Sequence, residues 1–227
     1  RTHAQSRVLE ESFLNSSIPY RIVGGTSFYE RMEVKDILAY LRIIQNGADF
    51  VSLARIANKP ARGIGDTAFS HLKKLTNLHD LNEDFLGPLD TRSKKALTGF
   101  MNFYRRICDI AREANVSELI TTVAIMSGYK DMILDGTKEG EGRWENIREL
   151  LSVAQRFDNL GPVESLTAFL QDIALITNLD NVDFKQDAVS LMTLHSAKGL
   201  EFDYVFMVGM EESFFPSGQA MSDDHEI

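Results

Sequence analysis

One cysteine, Cys108, stands in a chain of 227 residues. A lone thiol forms no internal disulfide, which excludes a disulfide scaffold and a cysteine-built zinc site. Long apolar runs are also missing: none approaches the ~20 residues that a membrane span needs, and no signal peptide opens the chain. There is no internal repeat and no low-complexity tract. The composition, 44% hydrophobic and 25% charged, is that of an ordinary globular chain and excludes a disordered, collagen-like or mucin-like one. These absences predict an intracellular, soluble protein with a real core, built as one large domain or two small ones. The chain opens on Arg1 and ends at Ile227 inside an acidic run, which reads as a piece cut from something larger.

Positive charge is scarce as well, and the net charge is -9. Its distribution is uneven. Residues 1–75 hold eleven Lys+Arg against seven Asp+Glu, whereas residues 76–227 hold thirteen against twenty-six. A phosphate-binding face therefore belongs in the first third, where the local field outweighs the global charge. Uneven solvated charge serving solubility alone fits the same counts.

Apolar spacing predicts mostly helix. Val8, Leu9 and Phe13 give the first stretch one apolar face, ending near Asn15 and Pro19. Residues 20–23 are β-prone and close on Gly24-Gly25. Ser27 and Glu30 form a Ser-x-x-Glu capping-box signature, behind which Val34, Ile37, Leu38, Leu41 and Ile44 recur at helical spacing up to Gly47. A shorter helix around Leu53 and Ile56 is interrupted by Pro60. Asp66 then caps one carrying Phe69, Leu72 and Leu75. Further helices carry Leu97, Phe100, Met101, Tyr104, Ile107 and Cys108, and then Leu119, Ile120, Val123 and Met126 behind Ser117-Glu118. Residues 136–142 read as a mobile glycine-spaced loop, and helices over 147–157 and 166–176 follow. From Asp187 the pattern changes to two buried strands, around 189–193 and 204–208, flanking a polar turn. The layout is a short α/β piece, a long helical insert, and a return to α/β.

Two segments can carry chemistry. Helix, then Arg62-Gly63-Ile64-Gly65-Asp66, then helix has the form of a helix–hairpin–helix. Its glycines permit a tight turn and close approach, Ile64 can anchor the turn, and free amides at the next helix start suit a phosphate oxygen. Arg62, Lys59 and Arg55 would add the attraction that dominates duplex binding. An ordinary glycine turn between packed helices is the plainer reading of the pentapeptide alone, because Gly-x-Gly is common. The second segment is Thr193-Leu194-His195-Ser196-Ala197-Lys198-Gly199-Leu200-Glu201-Phe202. It packs a hydroxyl, an imidazole, an amine and a carboxylate into a turn between strands, the place where open α/β sheets bind ligands. Lys198 could meet a phosphate, Glu201 a sugar hydroxyl, and His195 a nucleotide; a solvated loop capped by Ser196 is the plainer alternative.

The Gly-x-x-x-x-Gly-Lys-Ser/Thr phosphate loop is absent, and no acidic strand-end motif for Mg²⁺ stands out. The five histidines do not pair with carboxylates or Cys108 at metal-ligand spacing, so no metal site is expected. Trp144 reads as a half-buried helix residue and Cys108 as a structural thiol. Glu211 and Glu212, before Phe214-Phe215-Pro216, read as a strand exit without an acid–base role.

Several segments in order resemble the UvrD/PcrA/Rep family of superfamily 1 DNA helicases. They are Arg1-Thr2-His3-Ala4-Gln5-Ser6-Arg7, Pro19-Tyr20-Arg21-Ile22-Val23-Gly24-Gly25, Phe28-Tyr29-Glu30-Arg31, Glu33-Val34-Lys35-Asp36, the turn at residues 62–65, residues 189–202, and Val208-Gly209-Met210-Glu211-Glu212. The resemblance spans the chain and is densest at its ends. It implies a mainly α fold: an all-α helical insert on an incomplete RecA-like, P-loop-NTPase-like α/β domain. Residues 1–24 and 187–227 would be parts of the second motor domain, and 25–186 its inserted subdomain. By the same resemblance Arg1, His3, Thr193 and His195 would hold single-stranded DNA. Lys198 would lie near the ATP phosphates and Glu201 near the ribose. Arg62, Gly63, Ile64, Gly65 and Thr67 would grip duplex DNA ahead of the fork. His3 departs from the family, which more often has Asn there.

The full-length protein implied is a bacterial, cytoplasmic, nucleoid-associated ATP-dependent 3′–5′ DNA helicase of replication or repair. It would use ATP and Mg²⁺ and have DNA, the rest of the motor, and repair or replication proteins as partners, with no membrane. The phosphate loop and Mg²⁺ motif belong to the first motor domain. The adenine-stacking tyrosine would precede Arg1, and an arginine motif rich in Glu-Arg-Arg and Thr-Arg would follow Ile227. The chain alone is thus expected to bind no cofactor and to be inactive. A different class, a non-catalytic regulatory or protein-docking helical module, fits the acidic region beyond residue 76.

Overall fold

The first apolar stripe folds as helix α1 (Ser6–Asn15), followed by strand β1 (Tyr20–Ile22). The structure is a computed structural model and describes residues 6–180 and 188–210. It divides into two units, one of Arg1–Phe28 with Val182–Ile227 and the other Tyr29–Asn181.

In the first unit β1 pairs in parallel with β2 (Val189–Leu191), in the register Tyr20↔Val189, Arg21↔Ser190 and Ile22↔Leu191. Arg21 Nε donates across the pair to Ser190 Oγ at 2.9 Å. The buried residue of α1 is Glu10, whereas Val8 is exposed. Glu10 Oε2 accepts the Phe28 amide at 2.9 Å, so a carboxylate is drawn inward to satisfy a backbone donor. The strand expected over 204–208 does not form. Residues 204–210 have no regular element, and Tyr204 and Phe206 are 87% and 88% exposed. β-propensity reflects fit to neighbouring strands, and this run has none beside it among the described residues.

The second unit is all helix among the described residues. Helix α2 (Met32–Gln45) is its axis and packs against α3 (Phe50–Ile56), α6 (Thr91–Ile110), α7 (Val116–Met126), α9 (Lys138–Ala154) and α10 (Pro162–Asp180). A helix with neighbours on every side must be buried all round. Accordingly Val34, Ile37, Leu38, Tyr40, Leu41 and Ile43 are buried, and even Glu33 and Asp36 lie inside. Shorter helices α4 (Asp66–Leu72), α5 (Glu83–Leu86) and α8 (Tyr129–Ile133) fill the gaps. Tyr40, Phe100, Tyr104, Tyr129 and Phe169 are among the bulky side chains of this core.

Four local expectations are corrected. The Ser27–Glu30 capping box is absent: Phe28–Glu30 forms a 3-10 turn, Arg31 occupies the N-cap of α2, and the buried Ser27 Oγ has no partner among the described residues. The Glu30 carboxylate pairs instead with Lys35. Gly65, not Asp66, is the N-cap of α4. Asn115 caps α7, in a reciprocal box with Glu118 (2.9 and 3.2 Å), so the box starts two residues before Ser117. The glycine-spaced stretch 136–142 is mostly the first turns of α9, capped by Thr137, whose hydroxyl accepts the Gly140 amide at 3.0 Å. Gly140 is there because a Cβ would strike the Ile133 carbonyl.

Trp144 is half-buried, with Lys130 Nζ 5.0 Å from its ring centroid. Cys108 is half-buried, and burial pushes its thiol above the ordinary range. Glu211, Glu212, Phe214, Phe215 and Pro216 lie outside the described residues. No described helix is long and apolar enough to cross a membrane.

Candidate nucleic-acid interface

Between α3 and α4 the chain turns over Gly63-Ile64-Gly65 and is held from inside and beneath. Ile64 is buried and anchors the turn. Asn58, just past α3, is the clamp. Its Oδ1 accepts the amides of Ile64 at 3.0 Å and Arg62 at 3.2 Å, while its Nδ2 donates to the Ile64 carbonyl. One side chain thus satisfies three backbone groups of the turn.

The two glycines are there for different reasons. Gly63 has φ +73°, a left-handed conformation that other residues adopt only with strain. Gly65 has φ -78°, and a Cβ built on it meets nothing within 4 Å. Neither backbone conformation nor packing requires glycine at 65. A bare backbone at an exposed turn matters for whatever approaches it from outside. Thr67, next along α4, is exposed as well.

The three nearby cations are engaged. Arg62 turns its guanidinium inward and donates to the carbonyls of Ile56 (3.0 Å), Ala57 (3.3 Å), Pro60 (3.2 Å) and Ser127 (3.3 Å), and to Tyr40 Oη at 2.6 Å. It lies 5.5 to 5.9 Å from the ring centroids of Phe103, Tyr40 and Phe100. Tyr40 Oη in turn donates a hydrogen bond to the Lys59 carbonyl, and burial holds its phenol above the ordinary value against the pull of Arg62. Arg55 Nε bonds Asp36 Oδ1 at 2.6 Å, and Lys59 Nζ reaches the same carboxylate at 3.2 Å. Arg62, expected to face phosphate, therefore braces the turn from behind, and Arg55 and Lys59 compensate a buried acid.

In the first unit Thr193 caps the one-turn helix Leu194–Ala197, its Oγ1 accepting the Ser196 amide at 3.2 Å and lying 3.0 Å from Ser196 Oγ. The cap is thus Thr193 rather than Ser196. His195, Lys198 and Glu201 are all exposed, and Gly199 turns the chain between the last two with φ +81°. Ser196 Oγ would lie 3.1 Å from a Cβ on Gly24, so the loop packs on the glycine pair that ends β1. An amine and a carboxylate on one exposed turn can edge a nucleotide. They would meet ATP from one side only, because both are exposed on a single turn. No group of three His, Cys, Asp or Glu suited to a metal occurs among the described residues. Arg1 and His3 lie outside the described residues.

Comparison with known proteins decides what these features belong to. Residues 1–226 match the model of the UvrD-like helicase C-terminal domain. The chain belongs to that family. It is 43% identical over 238 aligned positions, covering 100% of this chain, to the ATP-dependent DNA helicase PcrA of Staphylococcus aureus. It is 43% identical over 242 to the PcrA of Staphylococcus epidermidis. The chain spans only 32% of the length of these curated relatives. As a UvrD-like C-terminal domain it is mainly α, as its sequence implies.

Two features of this family member escaped sequence reading. Asn58 follows the first helix of the motif and precedes a proline-containing segment, where nothing in its spacing marks it as a clamp. Asp36 sits at a core position of α2, where an apolar residue is the default. The faint signal was Asp36 itself, a charge inside an otherwise apolar helical stripe.

Proposed function

We propose that the chain is part of an ATP-dependent 3′–5′ DNA helicase of replication or repair, working in the bacterial cytoplasm at the nucleoid. On this reading residues 25–186 are the helical subdomain inserted into a second RecA-like motor domain, to which 1–24 and 187–227 belong. Gly63, Ile64, Gly65 and Thr67 hold the backbone of duplex DNA ahead of the fork, with Arg62 bracing them. Arg1, His3, Thr193 and His195 hold the single strand. Lys198 and Glu201 supply an amine and a carboxylate to one wall of the ATP site. ATP and Mg²⁺ supply the phosphoryl chemistry in the full-length protein, and this loop's part is to orient phosphate and ribose.

The observation that carries the reading is Gly65. It is an exposed glycine, in a turn pinned by Asn58 and Ile64, that neither its backbone angles nor its neighbours require. Close approach by a phosphate backbone accounts for it. The test is fluorescence anisotropy with a blunt duplex, a single strand and a tailed duplex at two salt concentrations, for the unsubstituted chain and Gly65→Glu. Preference for duplex-containing probes, weakened by salt and lost in Gly65→Glu, is expected. Duplex binding untouched by Gly65→Glu would remove the turn from the interface, and binding indifferent to salt would favour a protein-docking module.

A further inference from the structure

Beside the turn lies an open groove of about 500 Å³, between Gly63 and the first half of α6. Its floor is apolar, with Phe103 and Met126 among the residues that line it. Its far rim is the α6 stripe Arg92, Lys95 and Gly99, spaced to share one helix face. Arg92, Lys95 and Gly99 are exposed, and no carboxylate lines the groove. Arg55 and Lys59 are paired with Asp36 and Arg62 is hydrogen-bonded inward, whereas the two rim cations hold no ion pair among the described residues. Gly99 is a second unexplained glycine: it lies inside a 20-residue helix, where glycine costs about 1 kcal/mol against alanine, and a Cβ on it meets nothing within 4 Å.

We propose that this groove is a second nucleic-acid contact, in which Arg92 and Lys95 take successive phosphates of the strand whose neighbouring phosphates lie at Gly63 and Gly65. The occupant is a polyanionic backbone because the groove offers cations without acids. It is continuous with the turn because Gly63 belongs to both. The bare helix surface at Gly99 lets a sugar–phosphate chain lie flat between the cations and the apolar floor. The acidic balance beyond residue 76 makes these uncompensated cations stand out from the rest of that region. The proposal rests on the turn being a duplex grip and extends it from a point contact to a track.

The test measures duplex affinity of the whole chain across a salt series, for the unsubstituted protein, Arg92→Gln/Lys95→Gln, Gly99→Glu and Gly65→Glu, with circular dichroism confirming unchanged helix content. Each phosphate contact contributes about 0.9 to the slope of log affinity against log salt. The double variant should therefore flatten the slope by about 1.8 and weaken binding for every duplex sequence alike. Gly99→Glu, in open space, should weaken binding without unfolding. Loss in Gly65→Glu with both groove variants unchanged overturns the groove and leaves the turn standing. Loss in the groove variants with Gly65→Glu unchanged removes the turn and overturns the continuous track, leaving the groove cations as a separate contact. No duplex binding by the unsubstituted chain overturns both. Poly-glutamate that binds the chain and is lost in the groove variants, with duplex binding unaffected, assigns the groove to an acidic protein segment and overturns the proposal.

Discussion

Tyr129 Oη donates a 2.8 Å hydrogen bond to Asp36 Oδ2, on a carboxylate that also receives Arg55 and Lys59. Asp36 is fully buried, and four elements of chain meet on it: α2, α3, the segment leading into the turn, and α8. Removing one partner of a buried charge group costs about 3–5 kcal/mol. Arg55 and Lys59 are each about a third exposed (side chains 32% and 37%), which places the expected loss at the lower end. Asp36→Ala should lower the unfolding free energy by about 3 kcal/mol in urea titration. Tyr129→Phe should cost about 1.5–3 kcal/mol, as for a hydrogen bond to a charged group. Equal stability of Asp36→Ala and the unsubstituted chain would show that the cluster is not a structural hub.

The turn should separate stability from binding. Gly63→Ala forces a side chain into the left-handed region and should cost about 1–2 kcal/mol. Gly65→Ala should leave thermal stability unchanged, since nothing crowds that position. Asn58→Ala should free the Ile64 amide, read as faster hydrogen exchange there, with little change in global unfolding. Slow exchange in that variant would mean that Ile64 alone fixes the turn.

Alkaline pH should act through buried phenols. Tyr129 is pushed up by burial and by Asp36, Tyr104 by burial and Cys108, and Tyr40 by burial. Each folded value lies above the unfolded one of about 10, so the folded state keeps protons that the unfolded chain releases. Their contribution is fully present below about pH 10 and is lost as pH rises above it. Tyrosinate absorbance from these residues should therefore appear together with loss of helical circular dichroism. Full tyrosinate signal from an intact helical protein would contradict the burial.

The sequence has no phosphate loop and no Mg²⁺-binding acidic motif. The purified chain should show no DNA-stimulated phosphate release from ATP. Activity that survives further purification would place an ATP site within these residues.

Apolar spacing made the helices legible because it records a face. Val34, Ile37, Leu38, Leu41 and Ile44 mark α2, and Leu97, Phe100, Met101, Tyr104 and Ile107 mark α6, and those residues are buried. Signals needing a partner from elsewhere misled. Ser27 and Glu30 satisfy the spacing of a capping box, but Glu30 is drawn to Lys35 and the helix starts at Met32. Residues 204–208 have strand-like composition, yet a ladder needs a neighbour, and the described sheet has two strands only. For the candidate interface, residues 62–67 were found by motif. The inward course of Arg62 was not legible, because all but one of its acceptors are carbonyls, which every residue carries.

That inward course has an electrostatic consequence. The carbonyls at the end of α3, beside the turn, form a patch of partial negative charge that would push an approaching phosphate away. The guanidinium of Arg62 screens them from behind, cancelling a repulsion instead of supplying an attraction. A planar fork with five donors can serve several carbonyls together, whereas the compact ammonium of lysine cannot. Arg62→Lys would keep the formal charge of the molecule and still make its glycine turn hostile to anions.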